Sequence, residues 1–280
     1  MKVLVVGGTG FLGRPLCEEL TRRGHQLHGA SEAEDSPQRL DVTDPKSCRQ
    51  VLRHERYDVV VNLAGSGVTG GSSSSQTMAQ INHQGAITLA EAILTVENPP
   101  WVVHAASSTE PTDARAAESE YSRTKAAGTL SLASILSRAQ VPFIVARIHN
   151  TYGPSQPAGR FVTSTIHTLR EGKVVQVRYR DRVRDFCHVD DVTEHLADLV
   201  ERRQLARVYT EIGTGVGTTI WAAADTIRVI LGAPEGSVVA LDNDDPDPSH
   251  YQVADASGPG FLRCATPLEL GLEDTIGRLS

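Results

Sequence analysis

Val3-Leu4-Val5-Val6 is an unbroken apolar run of the kind a strand buried on both faces requires, and it stops at Gly7-Gly8. From Phe11 to Arg23 the apolar positions return at helical spacing until Gly24, a residue suited to the left-handed position that closes a helix. The pattern then repeats. A strand over His25 to Ala30, a helix over Pro45 to Glu55 and a strand over Val59 to Ala64 are followed by a helix over Met78 to Leu94. A strand over Trp101 to Ala105, a helix over Tyr121 to Ala139 and a strand over Phe143 to Arg147 complete the series. Strand and helix in regular alternation predict an α/β protein built on a doubly wound parallel sheet.

After Arg147 the rhythm breaks. The stretch Tyr152 to Gly172, the segment Val174 to Val177 and the Pro/Asp-rich region from Ala233 onward predict a small C-terminal substrate-binding lobe over the carboxyl edge of the sheet. The expected division is a nucleotide-binding domain over 1–150 and a lobe over 151–280, with segments near 185–232 returning to the first domain. Gly65 to Ser75 is Gly/Ser-rich and aperiodic, which predicts a mobile loop.

Composition narrows the partners. A net charge of −7 over 280 residues, with no dense Lys/Arg run, argues against nucleic acid or an anionic membrane as the main partner. Cys17, Cys48, Cys187 and Cys264 are scattered and lack the spacing of a zinc site or a disulfide framework, so reduced thiols, no bound metal and a cytoplasmic location are expected. The apolar start is too short for a signal peptide and is better read as the first strand.

Gly7-Gly8-Thr9-Gly10-Phe11-Leu12-Gly13 meets the Gly-x-Gly-x-x-Gly spacing and its Gly-x-x-Gly-x-x-Gly variant, after a strand and before an amphipathic helix. In that context a glycine turn lets the backbone approach a pyrophosphate at a helix N-terminus; without it, the same residues are an ordinary tight turn. Tyr121 and Lys125 stand four apart on a predicted helix and share one face. They follow Ser107-Ser108, the end of a predicted strand.

Together these residues resemble the extended short-chain dehydrogenase/reductases, the NAD-dependent epimerase/dehydratase family. The likeness runs through Leu40-Asp41-Val42, Asn62-Leu63-Ala64-Gly65, Ile81-Asn82 and, most specifically, Arg184-Asp185-Phe186-Cys187-His188-Val189-Asp190-Asp191-Val192. It implies a Rossmann-type sheet and a dinucleotide held by Gly7, Gly10, Phe11, Leu12, Gly13, Arg14, Ser31, Asp41, Val42, Leu63, Ala64, Gly65, Asn82, Tyr121 and Lys125. It implies catalysis by Ser108, Tyr121 and Lys125. Substrate contacts are expected from Ser107, Thr109, Asn150 and Arg184, with Arg147 facing the substrate. The resemblance also implies a homodimer through the helices over Met78 to Leu94 and Tyr121 to Ala139, the latter carrying Leu130, Leu132, Ile135 and Leu136.

Departures from the family pattern shape the substrate reading. Only twelve residues separate Ser108 from Tyr121, which shortens one wall of the pocket. Glu110 falls where sugar dehydratases carry a catalytic Glu, but Thr109 replaces its partner Asp, so dehydration is not expected and Glu110 reads as a solvated loop residue. Arg184 favours a nucleotide-linked sugar, whereas Asp245-Pro246-Asp247-Pro248 replaces a late phosphate-binding arginine motif. The acidic run Asp242 to Asp247 lacks the spacing of a calcium loop and reads as a solvated turn. Ser31 stands where NAD-dependent relatives place a ribose-binding Asp, which favours NADP(H) over NAD(H), although Glu32 next door opposes this.

His83, His104, His149 and His188 read as structural histidines. The expected activity is reduction of a keto group on a nucleotide-linked deoxysugar or a related glycosylated or polyketide-like small molecule. The alternatives are an NAD-retaining epimerase and, from another class, a non-catalytic dinucleotide-sensing regulator.

Overall fold

A computed structural model describes residues 1–31, 38–67, 73–111, 119–203, 208–241, 251–258 and 260–279. Glu32, the centre of the Gly/Ser-rich loop, most of the segment before Tyr121 and the acidic run 242–247 lie outside the described residues. In chain order the elements begin β1 (Lys2–Val6), α1 (Gly13–Arg22), β2 (Gln26–Ser31), β3 (Gln38–Arg39), α2 (Pro45–His54) and β4 (Val59–Asn62). Then come α3 (Ser75–Met78), a π-helical turn (Ala79–Gln84), α4 (Gly85–Ile93), β5 (Trp101–Ser107), α5 (Glu120–Arg138), β6 (Phe143–Ile148) and β7 (Asn150–Tyr152). They are followed by α6 (Phe161–Arg170), β8 (Val175–Arg178), β9 (Val183–Arg184), β10 (Phe186–His188), α7 (Val189–Arg202) and β11 (Tyr209–Gly213). Last are β12 (Thr218–Thr219), α8 (Ile220–Ile230), β13 (Val238–Leu241), β14 (Tyr251–Gln252), β15 (Leu262–Arg263) and α9 (Leu268–Arg278).

The chain divides into two compact units, Met1–Arg147 with Thr193–Thr210, and Ile148–Val192 with Glu211–Ser280. In the first, the strand order is β3-β2-β1-β4-β5-β6, and β1 pairs in parallel with both β2 and β4. Alternate side chains of these strands serve opposite faces. Leu4, Val6, Val60 and Val102 enter a core with Val51 and Leu52 of α2, Leu89 and Ile93 of α4, and Leu132 and Leu136 of α5. On α7, Asp198 and Glu201 receive Arg23 from the end of α1, and the Leu199 carbonyl receives the Trp101 indole. Helices cover both faces, which is the doubly wound, Rossmann-type arrangement.

Local chemistry sets the helix starts. Asp44 caps α2 by accepting the Lys46 amide, with Pro45 in the first helical position. Ser119 caps α5 by accepting the Ser122 amide, which places Tyr121 in the first turn. The helix expected over Met78 to Leu94 starts earlier, at Ser75, and passes through the π-helical turn, a widening that periodicity does not encode. There Gly128 of α5 comes so close that a Cβ on it would meet the Asn82 carbonyl oxygen at 1.9 Å.

In the second unit β7 pairs with β10, β9 lies between β12 and β14, and β13 pairs with β8. Its core joins Tyr152, Ile166, Val177, Phe186, Ile227 and Leu272. The part of the chain that returns to the first unit, 193–210, is narrower than the expected 185–232. The reason is visible at both ends: β10 is paired with β7, and α8 packs into the core of the second unit. No helix among the described residues is long and apolar enough to cross a membrane. Of the apolar residues on α5 expected at a dimer contact, Leu132 and Leu136 are buried within the chain itself, and Leu130 is exposed.

Candidate active site

The glycine turn is built by close approach. Gly7 has φ +83°, and its amide donates to the Ala30 carbonyl at 2.8 Å. A Cβ on Gly13 would lie 2.1 Å from the Gly7 oxygen, and one on Gly8 would lie 2.8 Å from the Gly29 Cα. Gly10 differs: a Cβ there would meet only the Gly7 oxygen, at 3.2 Å, and would otherwise stand in open space. The α1 N-terminus has no side-chain cap and no acid in its first turn. A concave turn, open above Gly10 and ending at an uncapped helix start, fits a dinucleotide pyrophosphate.

The residues expected to hold the dinucleotide all lie in the first unit. Arg14 Nε donates to the Thr9 carbonyl at 2.9 Å, and the Thr9 and Ser31 hydroxyls are 2.8 Å apart, so Ser31 is tied to the glycine turn. The Leu63 amide donates to the Val6 carbonyl at 2.9 Å, bringing the backbone of Leu63 and Ala64 beside Gly7. Gly65 passes near Asn82, whose side chain accepts the Ser66 amide at 2.8 Å and donates to the Thr124 hydroxyl at 3.0 Å. Phe11 and Leu12 lie between the turn and α1. Val42 packs against Gly85, while one oxygen of Asp41 accepts both the amide and the hydroxyl of Thr43.

Beyond this cradle lies the end of β5. Lys125 is buried, and its ammonium donates to the Ala105 carbonyl at 2.8 Å. Burial lowers its pKa, opposed by the nearby Glu110 carboxylate. The Ser122 hydroxyl donates to the Thr109 carbonyl, tying the residue after Tyr121 to the one after Ser108. The Ser107 and Thr109 hydroxyls are 2.9 Å apart.

Glu110 is not the solvated loop residue expected. It is 6% exposed, and its Oε1 accepts the Ser107 amide at 2.8 Å. A carboxylate that closes its own turn back onto the strand end has a reason to be inside, which a count of neighbours in sequence does not reveal. Arg147, expected to face the substrate, contacts backbone of this turn. Its Nη2 donates to the carbonyls of Ser108 at 2.8 Å and Glu110 at 2.6 Å, so it braces the turn from β6.

Asn150 and Arg184 belong to the second unit. The Asn150 amide donates to the Asp185 carbonyl at 3.0 Å, and its Nδ2 is buried with no partner among the described residues. Arg184 Nη1 donates to the Val183 carbonyl at 2.9 Å. Asp185, which the sequence offered only as part of a longer motif, is fully buried and accepts from Thr214, Gly215 and Ala254. Tyr152 is core, with its hydroxyl on the Leu268 carbonyl. His188, Asp190 and Asp274 cluster, but Arg278 stands 3.5 Å from Asp190 and 3.1 Å from Asp274 and supplies a positive charge there.

Comparison with known proteins finds a matching family, curated relatives and similar solved structures. A model of the NAD dependent epimerase/dehydratase family matches residues 3–210. A dTDP-6-deoxy-L-talose 4-dehydrogenase (NAD(P)(+)) of Kitasatospora kifunensis is 27% identical, covering 83% of this chain and 80% of its own. A dTDP-L-rhamnose 4-epimerase of Burkholderia thailandensis is 26% identical, covering 85% and 83%. Among solved structures, a UDP-glucose 4-epimerase of Thermotoga maritima with UDP-glucose superposes with TM-score 0.85 at 20% identity, covering 99% of this chain and 98% of that one. A dTDP-glucose 4,6-dehydratase of Bacillus anthracis in complex with NAD does so with TM-score 0.83 at 19% identity, covering 99% and 96%.

Proposed function

The chain belongs to the NAD dependent epimerase/dehydratase family, and we propose that within it this protein is a ketoreductase acting on a keto group of a nucleotide-linked deoxysugar or a related glycosylated small molecule. The observation that carries the reading is the placement of Lys125 at the end of β5, one helical turn after Tyr121, with Ser122 tied to the turn that holds Ser108. The glycine turn would hold the pyrophosphate of a dinucleotide, whose nicotinamide would supply the hydride. Tyr121 gives its phenolic proton to the carbonyl oxygen as negative charge develops there, and Ser108 donates a hydrogen bond to the same oxygen. A phenol with a reference pKa of about 10 is a poor acid–base catalyst at neutral pH, and the Lys125 charge favours its phenolate.

Ser31 in place of a ribose-binding carboxylate supports NADP(H), and Arg184 supports a diphosphate-bearing substrate. Asn150, Ser107 and Thr109 are the further substrate contacts of this reading, and a homodimer is its expected assembly. The 26% identical rhamnose 4-epimerase keeps an NAD-retaining epimerase in view as the second reading. One experiment separates them. The ketoreductase should purify with little dinucleotide and consume NADPH in proportion to a 4-keto nucleotide sugar. Recovery of one firmly held NAD per chain, with isomerisation and no cofactor consumed, would establish the epimerase.

A further inference from the structure

His104, on β5, is 2% exposed and touches two elements at once. Its Nδ1 lies 3.1 Å from Asn62 Nδ2 at the end of β4, and its Nε2 lies 3.2 Å from the Thr129 hydroxyl on α5. The other end of the Asn62 amide, Oδ1, accepts the Ala64 amide at 3.1 Å. Because Oδ1 is committed to that donor, the group facing His104 is the NH2, and only an unprotonated Nδ1 can accept from it. The hydrogen therefore sits on Nε2 and points at Thr129. A protonated ring would set two donors face to face, which agrees with the pKa of His104 being held well below its ordinary value, first by burial and then by the Lys125 charge.

The chain of contacts has a direction. Tyr121, Lys125 and Thr129 follow one another at four-residue spacing along α5 and share a face. Adjacent residues of β5 hold two successive turns of that face: Ala105 accepts from Lys125, and His104 meets Thr129. The same imidazole meets Asn62, whose side-chain oxygen holds the Ala64 amide in the segment after β4. We propose that His104 is a positioning residue, bridging Asn62 and Thr129 so that the segment after β4 is held in register with the helix bearing Tyr121 and Lys125. The functional part of this inference rests on the reading above, in which that segment contacts the dinucleotide and those side chains act on the substrate.

The test compares His104→Phe, His104→Asn and His104→Gln, measuring dinucleotide dissociation constant, kcat and KM on protein shown to be folded. Phenylalanine removes the partner of the Asn62 NH2 and of the Thr129 hydroxyl, and about a tenfold weaker dinucleotide affinity with a lower kcat is expected, while substrate KM stays within about twofold. Asparagine preserves an acceptor for Asn62, and glutamine preserves a donor for Thr129. His104→Asn should therefore keep dinucleotide affinity better than His104→Gln. Wild-type affinity and kcat in folded His104→Phe, or equal losses of affinity in the other two, overturn the proposal.

If His104→Phe fails to fold, the asparagine and glutamine pair decides alone. A second readout is independent of any activity: nitrogen-15 shifts of the wild-type imidazole should report a neutral ring protonated on Nε2. A ring charged or protonated on Nδ1 overturns the bridge. Failure of the wild type to bind dinucleotide, with the Nε2 tautomer present, counts against the functional reading and leaves the bridge standing.

Discussion

The ammonium of Lys125 donates to the carbonyl of Ala105 at 2.8 Å, so the cation of α5 is anchored to the backbone of β5 and not to a carboxylate. A backbone anchor fixes the position of the charge, which acts on a phenol one turn away even with the Glu110 carboxylate nearby. Tyr121→Phe should therefore lower turnover at least about a hundredfold with dinucleotide affinity nearly intact. Lys125→Ala should lose both. Steady-state rates and calorimetric titration with dinucleotide check this, and near-wild-type turnover of Tyr121→Phe sinks the assignment.

Glu110 performs two tasks that substitutions can separate. Glu110→Ala leaves the Ser107 amide without its acceptor and should cost about 1–3 kcal/mol in denaturant unfolding. Glu110→Gln keeps an acceptor but removes the charge that opposes the burial of Lys125, so the lysine should titrate lower still. The alkaline limb of the pH–rate profile should move to lower pH in Glu110→Gln, and an unmoved limb contradicts the coupling.

Neutral His104 also affects acid stability. Its folded pKa is depressed, so below the ordinary value near 6.5 the unfolded chain takes up a proton that the folded chain does not. Stability should therefore be fully expressed above about pH 6.5 and fall as the pH drops from there. His104→Gln should flatten that slope in unfolding curves taken from pH 7 to pH 5, and an unchanged slope assigns the acid sensitivity elsewhere.

Cofactor choice is testable at Ser31. Its hydroxyl lies against Thr9, so Ser31→Asp introduces a carboxylate at the glycine turn itself. Use of NADPH should weaken and the preference should move toward NADH, read as the ratio of kcat/KM for the two. A ratio that does not change removes Ser31 from the specificity argument.

Arg184 carries the substrate prediction. Arg184→Ala should weaken nucleoside diphosphate binding by about 1.5–3 kcal/mol, the range for a hydrogen bond to a charged group. Wild-type protein that binds no nucleoside diphosphate in calorimetry would favour a substrate without the nucleotide.

The parallel sheet was legible because Val3 to Val6, Val59 to Val61 and Trp101 to Val103 are buried on both faces and therefore read as continuous apolar runs. The glycine turn was legible because backbone crowding at Gly13 admits no other residue type. Glu110 was misread for the converse reason: a charged residue in a short loop has no periodicity, and it is held inside by an amide three residues back, at the end of the strand it closes on. The bracing by Arg147 was not legible, since the carbonyls it holds belong to the turn after β5, distant in sequence. The π-helical turn, β3 and the Asp185 network depend on long-range register, to which local pattern is blind.

Gly13 and Gly10 sit three residues apart and are intolerant of a side chain for unrelated reasons. At Gly13 an added methyl group strikes backbone and forces the helix off the strand, so Gly13→Ala damages the fold itself. At Gly10 the methyl group needs only a small yielding of the Gly7 carbonyl and then occupies the mouth of the turn. Gly10→Ala is thus expected to melt like the wild type and yet give no heat with dinucleotide. It would be a folded blank, a reference chain against which nucleotide binding and assembly can each be measured with the glycine turn closed.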